Sequence, residues 1–311
     1  MDEDPANDPQ SNFDILWKTL DEKYSFFELK NINWDSIYSH YDPQVNFNTS
    51  DEELFAIMDS MLYTLRDGHV NLVSDFNISR NWEWYLNAPP NFNYDVVERN
   101  YLGADYRIAG GLKYSIIDSV GYLYYASFSS GFSLANLKAM TDYFKNTKGV
   151  IVDVRDNGGG SLNNALVLCQ VFADSNKQAL ITVEKTGPGH SEFGNALAYN
   201  LGPLDEAHYD GPVYILTNKS CYSATNFFAA AMSNYSNVTL LGDWTGGGGG
   251  IPIDYELPNG WRFRFSATMT FLPNGFNIEN GIPPNKRQNN DPSINAAGTD
   301  QILERALSEL R

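Results

Sequence analysis

The sequence is poor in cysteine and in basic residues. Its 311 residues include two cysteines, Cys169 and Cys221, and neither has the spacing of a metal ligand. We expect both to be core thiols, with a single disulfide between them as the open alternative. Lysine and arginine number 21 against 38 aspartates and glutamates, which gives a formal net charge of -17. Because this charge is repelled by nucleic-acid phosphates and anionic lipids, nucleic acid is not an expected partner.

The sequence also lacks a long hydrophobic run. No apolar stretch approaches the roughly 18 residues of a membrane-spanning helix, so no transmembrane segment is expected. Residues 1–11 are acidic and contain proline, which fits either a cytoplasmic start or a flexible tether behind a removed signal or lipoprotein leader. We favour the tether, and with it an extracytoplasmic location, either periplasmic or lipid-anchored at the cell envelope.

Apolar and aromatic residues, by contrast, are plentiful. They make up 42% and 14% of the chain, as in a folded protein with a sizeable core. Three regions are expected: a flexible tether over 1–11, a small helical bundle over 12–67 and an α/β domain over 68–311. A capping box that begins at Ser50 marks the start of the third helix, and Gly68 is expected to take the left-handed conformation just beyond its end.

From residue 121 onward, runs typical of strands alternate with runs typical of helices. Strands are expected in GYLYYASF, GVIVDVR, ALITVEK, GPVYILTN and NVTLLGD, and helices in SLANLKAMTDYF, SLNNALVLCQVFA and SATNFFAAAM. This alternation predicts an α/β fold with a mostly parallel sheet and flanking helices. The Asn259-Gly260 pair predicts a late β-hairpin, which we expect to decorate the same sheet.

The first candidate for chemistry is Ser223, in the segment LTNKSCYSATNFFAAAM. An apolar strand that ends near Asn218 turns there into a helix that begins near Ser223. A serine in this position exposes its hydroxyl at the carboxyl edge of the sheet, beside backbone N–H groups and the positive end of the helix dipole. These groups suit a nucleophile and an oxyanion. Serine is also a common helix N-cap, and that plainer interpretation stays open.

Three consecutive glycines, 158–160, follow the apolar strand GVIVDVR. They do not fit the dinucleotide motif G-x-G-x-x-G, because Asn163 stands at the third glycine position, and no P-loop lysine follows. Glycine N–H groups that allow close backbone approach suit an oxyanion hole instead. Asp153 and Arg155 end the buried strand, and we expect them to hold the glycine turn by hydrogen bonds or an ion pair.

His69 is the best-placed histidine for a general base. The chain has four histidines: His190 and His208 fall in an irregular insertion, and His40 falls on a short helix without a glycine or polar partner. His69 directly follows a helix end. A lone histidine in such a place commonly complements the helix dipole, which is the structural alternative.

Taken in order, the segments DGHV, DVRDNGGG, SATN, GDWTGGG and ENGIPP resemble the C-terminal-processing serine peptidases, in particular the branch of the tricorn core and the interphotoreceptor retinoid-binding proteins. The resemblance extends over residues 50–290, and DVRDNGGG with the downstream Ser-Ala is its most specific part. It implies a crotonase- and Clp-protease-like α/β fold, with the catalytic domain over 68–311. The family's usual PDZ domain is not expected, because the stretch before Leu112 is too short for one.

The resemblance implies three catalytic residues: Ser223 as the nucleophile, His69 as the general base and Glu279 as the downstream acid. It also implies an oxyanion hole formed by the N–H groups of Gly159 and Ala224.

Two positions depart from the family pattern. Tricorn-like relatives have a serine beside the histidine, through which the acid acts, and this chain has Gly68 there. Ser-Lys members of the family have a lysine where this chain has Gly248, so a Ser-Lys dyad is not expected. Lys219 is the nearest substitute, and we interpret it as a loop residue.

The expected function is that of a serine-type peptidase, a hydrolase that acts on a peptide or protein substrate through an acyl-enzyme. No metal and no cofactor are expected to take part. One alternative is a catalytically silent relative that binds a peptide or an apolar ligand. A crotonase-like acyl-CoA enzyme is a further alternative, which the acidic composition disfavours.

Overall fold

The computed structural model describes residues 6–79 and 82–311. The α-helices are α1 (Pro9–Lys23), α2 (Trp34–Tyr41), α3 (Asp51–Tyr63), α4 (Tyr94–Val97), α5 (Leu134–Phe144), α6 (Leu162–Phe172), α7 (Ala224–Met232), α8 (Pro292–Ala296) and α9 (Gln301–Leu310). Within the described residues, the other helical turns are two 3₁₀ helices, Asp42–Gln44 and Ile278–Asn280, and a π-helix, Glu98–Leu102.

The β-strands are β1 (Asn71–Val73), β2 (Arg107–Ala109), β3 (Leu112–Ile117), β4 (Val120–Tyr124), β5 (Val150–Asp153), β6 (Lys177–Glu184), β7 (Leu197–Leu201), β8 (Val213–Thr217), β9 (Val238–Gly242), β10 (Pro252–Glu256), β11 (Arg262–Ser266), β12 (Thr268–Phe271) and β13 (Lys286–Arg287).

The chain forms two compact units whose segments alternate along the sequence. Unit 1 takes the chain up to Trp84, Thr182–Leu197 and Gly250–Thr270, and unit 2 takes Tyr85–Ile181, Ala198–Gly249 and Phe271–Arg311. The expected regions 1–11, 12–67 and 68–311 stay a prediction.

In unit 1, helices α1 to α3 share a hydrophobic core with the antiparallel sheet β1-β11-β10. In β11, Phe263 and Phe265 are buried while Arg262 is exposed, the alternation of a strand with one face on a core. The hairpin at Asn259-Gly260 therefore exists, as β10 and β11 pair antiparallel. Its expected place was wrong: it pairs with β1, because its aromatic face completes the core of the N-terminal helices.

The start of α3 is as predicted and its end is not. The hydroxyl of Ser50 accepts from the Glu53 N–H, and the Glu53 carboxylate accepts from the Ser50 N–H, so the capping box is present. At the other end, Arg66 rather than Gly68 takes the left-handed conformation, with φ 48°. The chain leaves the helix earlier than expected because the Arg66 N–H bonds the Tyr63 carbonyl, which tightens the last turn.

Unit 2 contains a seven-stranded sheet in the order β13-β9-β8-β5-β4-β3-β2. In this sheet, the neighbouring strands β13, β9, β8, β5 and β4 are parallel, and β3 and β2 continue the sheet antiparallel. Strands β5 and β8 are buried at every residue, as the centre of a sheet covered on both faces should be. Helix α9 packs on one face, where Ile302 and Leu307 belong to the same buried cluster as Ile151 and Leu216.

A third sheet has the order β12-β6-β7. The run ALITVEK forms β6 as predicted, but β6 is absent from the parallel sheet to which its place in the alternation assigned it. Within residues 6–79 and 82–311, we find no helix with the length and apolarity that crossing a membrane requires.

Candidate active site

Ser223 lies at a strand-to-helix turn in unit 2. Strand β8 ends at Thr217, and α7 begins at Ala224, immediately after the serine. The glycine turn that follows β5 lies at the same sheet edge, because β5 and β8 are parallel neighbours. The carboxyl edge of a parallel sheet is where α/β proteins place their ligand sites.

The backbone conformation of Ser223 is strained. Its φ of 55° and ψ of -125° are rare for a residue with a side chain, and such a conformation costs about 1–3 kcal/mol. An ordinary N-cap has an extended backbone and accepts a hydrogen bond from the first turn, whereas Ser223 makes no side-chain cap bond. The interpretation of Ser223 as a simple helix cap therefore fails. A sharp, strained turn between strand and helix is the geometry that exposes a nucleophilic serine.

Backbone hydrogen bonds hold this strained turn in place. The Ser223 N–H donates to the Gly247 carbonyl at 2.9 Å, and the Tyr222 N–H donates to the Asn157 carbonyl at 3.2 Å. On the helix side, the Ser223 carbonyl accepts from the Phe227 N–H at 3.0 Å. The loop after β9, the glycine turn after β5 and the first turn of α7 thus all fix the position of the serine.

Gly159 and Ala224 lie directly beside the serine. Gly159 has φ 107°, and a Cβ added to it would lie 2.8 Å from the Cβ of Ser223 and 3.0 Å from the nitrogen of Ala224. Only glycine fits so close to the turn. Ala224 is the first residue of α7, where a backbone N–H has no acceptor within its own helix. The structure thus brings together three of the residues that the sequence singled out.

Asn157 is a residue of this region that the sequence interpretation missed. Its fully buried side chain accepts from the Gly159 N–H at 3.0 Å and from the Thr225 hydroxyl at 2.7 Å, and it donates to the Tyr125 carbonyl at 2.9 Å. The asparagine ties the glycine turn to the first turn of α7. Its position directly before the three glycines was the available signal. An oxyanion would have to share the Gly159 N–H with this amide or replace it.

The glycine-rich loop that follows β9 packs around Glu279. Glu279 is buried on a 3₁₀ turn; its carboxylate accepts from the Gly249 N–H at 2.8 Å, and its carbonyl accepts from the Gly248 N–H at 3.1 Å. Gly248 has φ 78°, and a Cβ there would lie 2.5 Å from the ring of Tyr222. A lysine at this position would be strained and would clash, which supports the expectation that no Ser-Lys dyad forms through it.

His69 lies in unit 1, in a tight turn that begins at Asp67. The His69 N–H donates to Oδ1 of Asp67 at 2.8 Å, and the His69 carbonyl accepts from Nε of Arg264 at 3.2 Å. The hydroxyl of Ser266 donates to Oδ2 of Asp67 at 3.0 Å and lies 3.5 Å from Nδ1 of His69. Tyr24 donates to the same Oδ2 at 3.1 Å. The sequence interpretation missed both Asp67 and Ser266, although Asp67 lies within the DGH segment.

This environment keeps the imidazole neutral. Burial lowers the pKa of His69 to about 4; the charge of Asp67 opposes this shift, and the charges of Arg264 and Lys30 add to it. Burial alone would raise the pKa of Asp67, but the charge of Lys30, together with His69 and the hydroxyl of Ser266, holds that pKa below its ordinary value. At neutral pH the site therefore pairs a neutral imidazole with a carboxylate, and a neutral imidazole is the form that a general base needs.

The other residues that the sequence singled out make contacts that stabilise the fold. Arg155 is fully buried and forms ion pairs with Asp153 at 2.6 Å and with Asp300 at 2.8 Å, so the expected ion pair is confirmed. Cys169 and Cys221 are both buried free thiols, as expected. Lys219 lies in the turn before the serine, where its ammonium donates to the Thr245 carbonyl at 3.2 Å.

Two family models match the chain. The model of peptidase family S41 matches residues 119–287, which is more than half of the chain, and the model of the tricorn protease C1 domain matches residues 5–63. The resemblance to C-terminal-processing peptidases inferred from the motifs is confirmed by these matches.

Individual relatives agree with the family models. The carboxy-terminal processing protease CtpA of Bacillus subtilis (strain 168) is 27% identical over 161 residues, which cover 50% of this chain and 33% of CtpA, so the match spans about a third of that relative. A solved structure of a candidate peptidase from Parabacteroides merdae ATCC 43184 is 42% identical with a TM-score of 0.92, and covers 98% of this chain and 97% of that one. Mature CPAF in complex with lactacystin shares the fold alone, with a TM-score of 0.71 at 11% identity over 97% of each chain. The expected α/β fold with a mostly parallel sheet is confirmed.

Proposed function

We propose that this chain, which belongs to peptidase family S41, is a serine-type peptidase that cleaves peptide bonds through an acyl-enzyme on Ser223. The observation that carries the proposal is the conformation of Ser223, which is strained, makes no cap bond, and has the backbone of Gly159 and the N–H of Ala224 beside it. Strained residues persist where the surrounding structure over-determines them, and they cluster at active sites.

In the proposed reaction, Oγ of Ser223 attacks the peptide carbonyl carbon while Nε2 of His69 accepts the hydroxyl proton. The carbonyl oxygen becomes an oxyanion that accepts hydrogen bonds from the N–H groups of Ala224 and Gly159. When the carbon–nitrogen bond breaks, the imidazolium gives its proton to the leaving amine. Water then attacks the acyl-enzyme, with the same imidazole as base, and the release of the carboxylic acid restores the serine.

Glu279 is proposed as the downstream acid, the role that the family resemblance gives it. Its burial and the hydrogen bond from the Gly249 N–H support this role, because both hold the carboxylate in one position. The loop that Glu279 anchors also supplies the Gly247 carbonyl that fixes the N–H of Ser223. A substitution at Glu279 would thus alter the geometry of the nucleophile, in addition to any effect of losing the carboxylate itself.

The proposed substrate is a peptide or protein, processed near its carboxyl terminus. The name of CtpA states carboxy-terminal processing for that relative, and the family membership of this chain supports extending it here. We further propose a crotonase-like core, which the family resemblance supports. We also propose an extracytoplasmic location, periplasmic or lipid-anchored, which the tether-like composition of residues 1–11 supports. Fractionation of the source cells with an antibody to this chain tests the location, and recovery in the cytosolic fraction would exclude it.

A fluorophosphonate probe tests the nucleophile. The wild-type protein should be labelled, and mapping of the adduct by peptide mass should place it on Ser223. Ser223→Ala should remove labelling, whereas Ser220→Ala, a serine in the same turn, should label at the wild-type rate. If the folded wild-type protein stays unlabelled while a known serine hydrolase reacts, the proposal is wrong. That result would favour the alternative, a catalytically silent relative that binds a ligand.

A further inference from the structure

We propose that Ser266 and Asp67 are positioning residues that hold His69 with its ring proton on Nδ1, so that Nε2 is the basic nitrogen. This inference rests on the proposed role of His69 as general base. It fills the place left by Gly68, since the residue beside the histidine has no side chain with which to orient the ring.

The hydrogen bonds define which way the protons point. A carboxylate is an acceptor only, so the bond between Ser266 and Asp67 uses the serine proton. The oxygen of Ser266 then offers a lone pair to Nδ1 of His69, which lies 3.5 Å away. That contact is favourable only when Nδ1 carries a hydrogen. The neutral imidazole consequently keeps its lone pair on Nε2.

The supporting groups are fixed on both sides. Asp67 is held at Oδ1 by the His69 N–H and at Oδ2 by Tyr24, and its side chain is buried. Ser266 is fully buried at the end of β11, where its carbonyl accepts from the Ser25 N–H at 3.0 Å. A serine on a strand and an aspartate in a tight turn therefore leave the ring little rotational freedom. Such rigid outer support is what a catalytic histidine requires.

A purely structural role would have a different consequence. If Ser266 served only to satisfy the buried carboxylate of Asp67, its loss would lower stability and leave the ring tautomer of His69 unchanged. In the positioning role, Asp67→Asn reverses the chain of hydrogen bonds: the new amide nitrogen donates to Ser266, and the serine proton turns towards Nδ1. The ring proton then moves to Nε2, where it blocks the base.

Nitrogen NMR of the full chain with ¹⁵N-labelled histidine tests this directly, with His69→Gln to assign the signal. At pH 7 the wild-type protein should show the Nδ1–H tautomer at His69. Asp67→Asn should convert it to the Nε2–H tautomer, and Ser266→Ala, which removes only one oxygen, should give a mixture. An Nε2–H tautomer in the wild type, or no change in Ser266→Ala, would overturn the proposal. Because Ser266→Ala adds no atoms, it carries the test if Asp67→Asn does not fold.

The labelling rate with the fluorophosphonate probe is the second readout. Both variants should react about 10²-fold more slowly than the wild type, the effect of a misplaced catalytic group. Ser79→Ala is the matched control, because Ser79 is another buried serine of unit 1, whose hydroxyl accepts from the Leu72 N–H. Wild-type rates in both variants would overturn the positioning role. If the wild type itself is unlabelled, the proposed function fails, and the tautomer measurement alone decides this inference.

Discussion

In unit 2, backbone groups surround Ser223, whereas in unit 1, side chains surround His69. The neighbours of the serine are the N–H of Ala224, the backbone of Gly159 and the carbonyl of Gly247. The neighbours of the histidine include the carboxylate of Asp67 and the hydroxyl of Ser266. A backbone N–H donor is kept when its own residue is replaced by any residue except proline, and it is otherwise impaired only by a new side chain that displaces it. Side-chain partners can be deleted one atom at a time.

The two regions also store their free energy differently. The serine region holds a strained residue against glycine turns, at a cost of about 1–3 kcal/mol that neighbouring bonds must offset. The histidine region instead buries ionisable groups, and its cost depends on pH through the lowered pKa of His69. We therefore expect backbone substitutions to reveal the first region and pH to reveal the second.

The largest expected effect separates activity from stability at Ser223. Ser223→Ala and Ser223→Gly should both lower peptide hydrolysis by at least about 10⁴-fold, because the nucleophile is lost. Ser223→Gly should nevertheless be more stable than Ser223→Ala by about 1 kcal/mol, because glycine adopts φ 55° without strain. Urea unfolding of the two variants measures this difference.

Ser220→Gly is the control for the general effect of glycine in this turn, and it should be no more stable than Ser220→Ala. Equal unfolding free energies for the two Ser223 variants would mean that the serine turn stores no strain. The proposed contrast between the two regions would then be lost.

The next effect concerns the approach of Gly159 to the serine. Gly159→Ala should lower the labelling rate by about 10²–10³-fold, because its Cβ would lie 2.8 Å from that of Ser223 and would displace an oxyanion donor. Gly275→Ala is the matched control: Gly275 also has a positive φ, 86°, but a Cβ there meets no atom within 4 Å. Both variants place an alanine at a positive φ, so a comparable loss of labelling in both would argue against the proposed role of Gly159.

The histidine region should be visible in the pH profile. Because the pKa of His69 is lowered to about 4, the imidazole stays neutral and basic as the pH falls from 7 towards 5. We expect kcat/KM to be flat over that range and to fall only near pH 4. The groups that act on this pKa are Asp67, Arg264 and Lys30. A fall centred near pH 6.5, the ordinary value for histidine, would contradict the buried environment.

The same lowered pKa makes stability depend on pH. Below pH 6.5 the unfolded chain binds a proton at His69, whereas the folded chain binds it only near pH 4. The free energy of unfolding should therefore fall as the pH is lowered from 6.5 to about 4. His69→Gln removes the titrating group and should flatten that part of the stability curve. His40→Gln, which replaces an exposed histidine on α2, is the control.

The residues around Ser223 could be predicted from the sequence, whereas several of those around His69 could not, for a physical reason. The turns around Ser223 come from separate parts of the chain, but each carries its own local signal: three glycines after one apolar strand, and a helix start after another. Ser266, in contrast, is 199 residues from the Asp67 that it bonds, and only the packing of β11 brings them together. The hairpin was misplaced for the same reason: its turn residues are local signals, but the choice of β1 as partner depends on the aromatic core of unit 1.

The smallest expected effect is at Lys219, and it tests which residue is the base. Burial lowers the pKa of Lys219, as a lysine base would need, but its ammonium donates to the Thr245 carbonyl, and Gly248 leaves no room for the family's usual lysine. If His69 is the base, Lys219→Met should lower the labelling rate only a few-fold, through changes in the turn before Ser223. Measured beside His69→Gln, a loss as large as in that variant would transfer the role of base to Lys219. The serine region would then contain both the nucleophile and the base, and the proposed contrast between the two regions would be wrong.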